Sequence, residues 1–115
     1  MKCKGKRQLF SDYKYKARKR GFKFHLTYEL FCEILLTQCH YCGKHPGNRT
    51  ISTGANKYAI KAGGVDRKSS KRGYTLKNVL PCCGVCNRMK SDMGYTEFLK
   101  KVRSINLCRW WKEIL

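Results

Sequence analysis

Apolar positions recur at helical spacing in some windows of this chain, alternate in others, and thin out over one long stretch. Phe10, Tyr13 and Ala17 share one helical face; Ser11 and Asp12 can cap a helix start and Gly21 supplies a stop, so a helix is predicted between them. "FKFHL" alternates, as a short extended segment does. Thr27 then caps a second helix that turns Leu30, Phe31, Ile34 and Leu35 inward. From His45 to Gly64 the residues are mostly Gly, Asn, Ser, Thr and Lys, which predicts a long polar loop with a little strand around Tyr58 to Ile60. "GGVD" and "NVLPC" are short apolar runs joined by a basic, glycine-containing connection, which suits two antiparallel strands. A third helix begins within "CCGVCNRMKSD" and ends at Gly94; Thr96 caps a last one with Phe98, Val102 and Ile105 on one face. The closing "CRWWKEIL" reads as an apolar flap over the core.

A length of 115 residues suits one domain with a small core. Charge changes the picture more: 26 Lys plus Arg face 7 Asp plus Glu, a formal +19, which repels itself unless a polyanion is the partner. Nucleic acid is the obvious one. A membrane partner is excluded, because no basic helix carries a continuous apolar face and no run approaches the ~20 apolar residues of a span. The N-terminal "MKCKGKRQLF" has basic residues but no apolar stretch behind them, so an intracellular, non-secreted protein is expected.

Eight cysteines could form a disulfide framework. The pairing of Cys39 with Cys42 and of Cys83 with Cys86 favours metal, because each CxxC presents two thiolates to one tetrahedral ion. Four thiolates saturate zinc and leave no position for water, so this zinc is structural. Cys82 could replace Cys83, but the two-residue spacing of the first knuckle favours Cys83. Cys3, Cys32 and Cys108 have no partner at ligand spacing and read as small buried hydrophobes or free thiols.

The staple holds Asn87 at the opening of a helix, where free N–H groups favour an anion such as phosphate, while Asp66 ends the strand that pairs back alongside. A carboxylate and an amide carbonyl are hard oxygen ligands, so Asp66 and Asn87 are candidates for an open magnesium or manganese site. Taken singly, Asp66 is equally a surface charge at a hairpin end, Asn78 a turn residue and Asn87 a helix-start residue.

The two CxxC knuckles, with "GVDR", "GYTLKNVLPCC" and "CNRMKSD", resemble the HNH endonucleases of the phage and intron-associated type with a four-cysteine zinc. "YKARKRGFKFHLTYELF" ahead of "CHYCG" extends the likeness over nearly the whole chain. The resemblance implies an α+β fold with a ββα-metal (His-Me finger) core. It would have a basic N-terminal extension with a helix over 1–26, the zinc-bound core over 39–94 and a C-terminal helix over 95–115. It also implies hydrolysis of DNA phosphodiesters with a divalent ion, in a bacterial or phage-infected cytoplasm. In this family Asp66 would be the acidic metal ligand, Asn87 the second ligand, and Asn78 the asparagine that orients the catalytic side chain.

One position departs from the family pattern. The general base is usually a histidine directly after the aspartate, and this chain has Arg67 there, which cannot accept a proton. Arg67 would instead hold the scissile phosphate or stabilise the pentacoordinate charge. The base is then His40, His45, a metal-bound hydroxide or a phosphate oxygen; either histidine is otherwise a solvent-facing loop residue.

"RKSSKRGY" joins the two strands beside the proposed metal, so Lys68, Lys71 and Arg72 are placed to contact phosphates, and the N-terminal helix adds Arg18, Lys19 and Arg20. Tyr13, Tyr15, Phe22 and Phe24 could stack on bases or fill the core. The reading is a DNA endonuclease or nickase, with DNA preferred over RNA. A zinc-stapled nucleic-acid-binding protein without catalysis is the alternative. Nothing in the sequence chooses between monomer and dimer.

Overall fold

Phe31 and Leu35, both fully buried, anchor the core of the computed structural model, which describes residues 5–53 and 56–114. The chain runs α1 (Arg7–Lys19), α2 (Tyr28–Leu36), β1 (Asn48–Thr53), β2 (Asn56–Lys61), β3 (Gly64–Arg67), β4 (Val79–Cys82), α3 (Gly84–Lys90) and α4 (Tyr95–Ile114), with one 3₁₀ turn over Leu76–Asn78. Two separate two-stranded antiparallel sheets result, β1 with β2 and β3 with β4. This is the mixed helix-and-strand class expected, and β3, β4 and α3 form the ββα unit.

Thr27 caps α2 as its sequence predicts, its hydroxyl accepting from the Leu30 N–H at 3.2 Å. Phe31 and Leu35 then meet Leu9 of α1, Ile51 and Ile60 of the first hairpin, and Val65 and Val79 of the second. Phe10 sets its ring edge-on to Phe24, Tyr28 and Phe31, with centroids 5.3–5.5 Å apart. Tyr13 packs on Phe31 at 5.1 Å, so Tyr13 and Phe24 belong to the core, while Tyr15 stays 63 % exposed.

Several expectations need correction. α3 ends at Lys90, short of Gly94, and α4 begins at Tyr95, so Thr96 lies inside the helix and does not cap it. α1 starts at Arg7, ahead of Ser11 and Asp12, and Asp12 inside the helix accepts from Gln8 Nε2 at 3.0 Å. A side-chain bond between successive turns has taken the place of a cap. The helix does stop at Gly21, whose φ of +81° is the left-handed conformation glycine tolerates best. The stretch from His45 to Gly64 is largely a hairpin, paired from Asn48↔Lys61 to Thr53↔Asn56, with Ile51 and Ile60 buried. Arg49 shares the inward face with Ile51 and Ile60, which hides the alternation. The C-terminal segment is no flap: α4 runs unbroken, Phe98 is buried at 3 %, and every described side chain from Leu99 to Glu113 is exposed. Val102 and Ile105 continue the Phe98 face, but Leu107 and Trp111 lie on the opposite side, so no single apolar stripe exists for the core to cover.

The connection between β3 and β4 docks on the N-terminal arm. Tyr74 N–H donates to Lys23 O and His25 N–H to Tyr74 O, each at 2.8 Å, and Phe24 bridges Tyr74 in parallel. The predicted extended segment is reduced to this bridge. Gly73 permits the contact, since a Cβ there would come within 2.8 Å of Lys23 N and nearer still to its carbonyl. Among the described residues no helix is long and apolar enough to cross a membrane.

Candidate active-site cleft beside a four-cysteine centre

The first knuckle is a turn closed by Gly43 N–H to Cys39 O and Cys39 N–H to Lys44 O, both 2.9 Å, with Gly43 at φ +78°. His40 N–H donates to Pro81 O at 2.9 Å and ties that turn to β4. Cys83 caps α3, its sulfur accepting from the Cys86 N–H at 3.4 Å. The Sγ atoms of Cys39, Cys42, Cys83 and Cys86 thereby lie within 4.8 Å of one another, and Cys42 to Cys83 is 3.7 Å. Tetrahedral zinc with bonds of about 2.3 Å holds its sulfurs roughly 3.8 Å apart, so the donor set fits the ion. Burial pushes the Cys39 thiol up, but the N–H groups of Cys42, Cys83 and Tyr41 outweigh it and bring it down to about 6, which prepares a thiolate.

The ambiguity at Cys82 resolves in favour of Cys83. Cys82 lies outside the cluster, donates to Cys83 O at 3.3 Å, and is pushed up by burial. Cys32 is buried in α2 and Cys108 is exposed on α4; Cys3 lies outside the described residues.

Between β3 and α3 lies a cleft of about 350 Å³, lined among others by Arg20, Asp66, Arg67, Asn87, Arg88 and Asp92. Asp66 and Asn87 thus line one cavity. Asp66, however, is 4 % exposed and both of its oxygens are engaged. Oδ1 is 3.3 Å from the Lys90 ammonium, and Oδ2 accepts from the Tyr41 hydroxyl at 2.7 Å. Lys90, 1 % exposed, also donates to Arg67 O at 2.8 Å. Burial first, and the bond to Asp66 second, raise the Tyr41 phenol above its ordinary range. With an ammonium on one carboxylate oxygen and a phenol on the other, Asp66 does not fit as a ligand to a divalent ion.

Neither Tyr41 nor Lys90 stood out in the sequence. The available signals were the position of Tyr41 inside the first CxxC, and of Lys90 one helical turn beyond Cys86, on the face the staple turns inward.

Arg67 turns away from a phosphate-holding role. Its Nη1 donates to Ser70 O at 2.8 Å and Arg72 O at 2.9 Å, and its guanidinium sits 4.1 Å over the Phe22 ring, so it closes the hairpin loop. Phe22 is thereby occupied as well. Asn78, also buried, accepts from Ser69 N–H at 3.0 Å and donates to Ser69 O at 3.1 Å and Gly73 O at 2.9 Å, so it shapes the same loop from within.

Asn87 is exposed on α3 and lines a second cavity too, of about 440 Å³, with Lys44, His45, Arg49 and Arg88. His40 is exposed with Nε2 2.9 Å from the Tyr95 hydroxyl, and neither it nor His45 lines the Asp66 cleft. Lys68, Lys71 and Arg72 are exposed on the hairpin connection, and Arg18 and Lys19 on α1, while Arg20 reaches the cleft itself. Arg88, which the sequence did not single out, lines both cavities.

No protein-family model matches the chain. An uncharacterised protein of Acanthamoeba polyphaga mimivirus is 30% identical over 83 residues, a match that covers 72% of this chain and only 14% of that protein's length. Among solved structures, the rare-cutting HNH restriction endonuclease PacI aligns with a TM-score of 0.58 and 27% identity, over 86% of this chain and 75% of that one. The hairpin, the four-cysteine centre and the helix between them therefore belong to an HNH-like fold.

Proposed function

We propose that the protein is an HNH-type DNA endonuclease or nickase that draws a phosphodiester into the cleft between β3 and α3, on a domain stapled by zinc. The observation that carries this reading is the cleft itself: a hairpin and a helix pinned by four cysteines and lined by Arg20 and Arg88, on a fold similar to that of an HNH restriction endonuclease. Positive side chains at the rim suit the phosphate backbone, which holds register without reading sequence. A chain of net charge +19 supplies the long-range attraction. Magnesium or manganese, which the resemblance implies, would supply Lewis-acid stabilisation of the developing phosphate charge. Asn87 offers the accessible protein oxygen for it.

A second reading, a zinc-stapled DNA-binding protein without catalysis, is favoured by one observation: the Asp66 carboxylate is held by Lys90 and Tyr41. Supercoiled plasmid incubated with the zinc-loaded protein and Mg²⁺ or Mn²⁺ separates the two. Nicking that weakens in Asn87→Ala and Arg88→Ala supports the nuclease. Intact plasmid alongside tight, salt-sensitive DNA binding supports the binding protein, and nicking unchanged in both variants removes the cleft from either account.

A further inference from the structure

Lys90 is among the most buried side chains of the molecule, yet it carries an ammonium group and stands in the cleft wall. Its Nζ contacts two hard oxygens, a carboxylate oxygen of Asp66 at 3.3 Å and the main-chain carbonyl of Arg67 at 2.8 Å. That is the kind of donor set a small divalent cation seeks. Lys90 is also the last residue of α3, where the negative end of the helix favours a cation. The backbone fixes it there: Ser91 turns to φ 52° directly after it, and Met93 N–H donates to Lys90 O at 3.0 Å. Tyr41 completes the shell from the first knuckle by donating to the remaining carboxylate oxygen.

We propose that Lys90 is the resident cation of the Asp66 site: its tethered ammonium occupies the position beside the carboxylate that a free divalent ion would otherwise take. A dication brought to Asp66 would have to expel the ammonium or sit against it in a poorly hydrated wall, and like charges at that range repel strongly. The Asp66 carboxylate thus stays neutralised by the tethered ammonium at any magnesium concentration. Metal needed for phosphodiester chemistry would bind elsewhere, through Asn87 and the substrate. The inference rests on the proposed function only for the identity of the cleft, and its test needs no DNA.

The test is Mn²⁺ binding to the zinc-loaded full chain, followed by electron paramagnetic resonance. The wild type and Asp66→Asn are expected to bind Mn²⁺ alike. Lys90→Met should gain a site that Mg²⁺ displaces, bound at least tenfold more tightly than any site of the wild type and lost in Lys90→Met/Asp66→Asn. Wild-type binding that disappears in Asp66→Asn would overturn the proposal, as would a folded Lys90→Met that gains nothing. Should the variants fail to fold, a Mg²⁺ titration followed at the Asp66 carboxyl carbon signal of the unaltered protein decides alone: a saturable shift at sub-millimolar Mg²⁺ overturns the tethered cation, and an unmoved signal supports it. None of these readouts depends on cleavage, so a protein that cuts no DNA can still uphold or sink it.

Discussion

Lys90 and Asp66 form a buried ion pair, 3.3 Å apart and 1 % and 5 % exposed at the side chain, joining the last residue of α3 to the centre of β3. Removing one partner strands the other charge, whereas removing both strands none. Lys90→Met and Asp66→Ala are each expected to cost about 3–5 kcal/mol in urea unfolding of the zinc-loaded protein, and the double variant much less than their sum. Additive losses would mean that the two charges do not act as a pair.

Asn78 should matter through the loop it fills. Asn78→Ala removes three side-chain hydrogen bonds to Ser69 and Gly73, which at 0.5–1.5 kcal/mol net each predicts a loss of roughly 2–4 kcal/mol. Hydrogen exchange gives a local check, since the Ser69 amide should lose protection while α2 amides exchange through the same global unfolding as before. Unchanged protection at Ser69 would show that the loop is held by its other bonds.

The sequence disclosed those parts whose chemistry is local. Two CxxC pairs, the Thr27 cap, the Gly21 stop and the short strands around "GGVD" and "NVLPC" each carry their signal within a few residues. Asp66, Asn78 and Asn87 were grouped only through the family resemblance; within the fold Asn78 bonds to the hairpin connection. What the side chains do across space was not legible. The buried state of Lys90 depends on a strand 23 or more residues away, and the use of Arg67 as a loop clamp depends on Phe22 from the N-terminal arm. The β1–β2 hairpin escaped because, among its described side chains, only Ile51 and Ile60 are buried, too few to mark a period of two.

Metal removal tests the staple. Chelation is expected to unfold the β3–β4–α3 unit, since the four thiols would be left crowded in one place. Cys83→Ser should abolish bound zinc, whereas Cys82→Ser should retain it, its thiol facing the Cys83 carbonyl instead. Zinc content by mass spectrometry of the native protein decides, and zinc lost from Cys82→Ser with Cys83→Ser unaffected would exchange the two roles.

Tyr41 gives a pH dependence with a definite sign. Burial and its bond to Asp66 raise the folded phenol above its ordinary value, whereas the unfolded phenol ionises near pH 10. Its contribution is therefore fully present below about pH 10 and declines as pH rises beyond that, because only the unfolded chain releases the proton. The difference in unfolding free energy between the wild type and Tyr41→Phe should shrink from pH 9 to pH 11. A difference that is flat over that interval would mean the phenol is not held protonated by Asp66.

Salt dependence measures how many of the cationic side chains meet phosphate. With six to ten contacts, affinity for duplex DNA should fall roughly 10³- to 10⁵-fold between 50 and 200 mM salt, because each neutralised phosphate releases counterions. Arg20 and Arg88 reach the cleft, whereas Lys77 is an exposed cation on the 3₁₀ turn that lines none of the cavities described. The double variant Arg20→Gln/Arg88→Gln should lower the slope of log affinity against log salt by about 1.8, at ~0.9 per lost phosphate contact. Lys77→Gln should leave it nearly unchanged. Fluorescence anisotropy on one duplex across a salt series reads both. Equal effects of the cleft and control substitutions would reduce the interface to diffuse attraction by net charge, with no groove selected for the backbone.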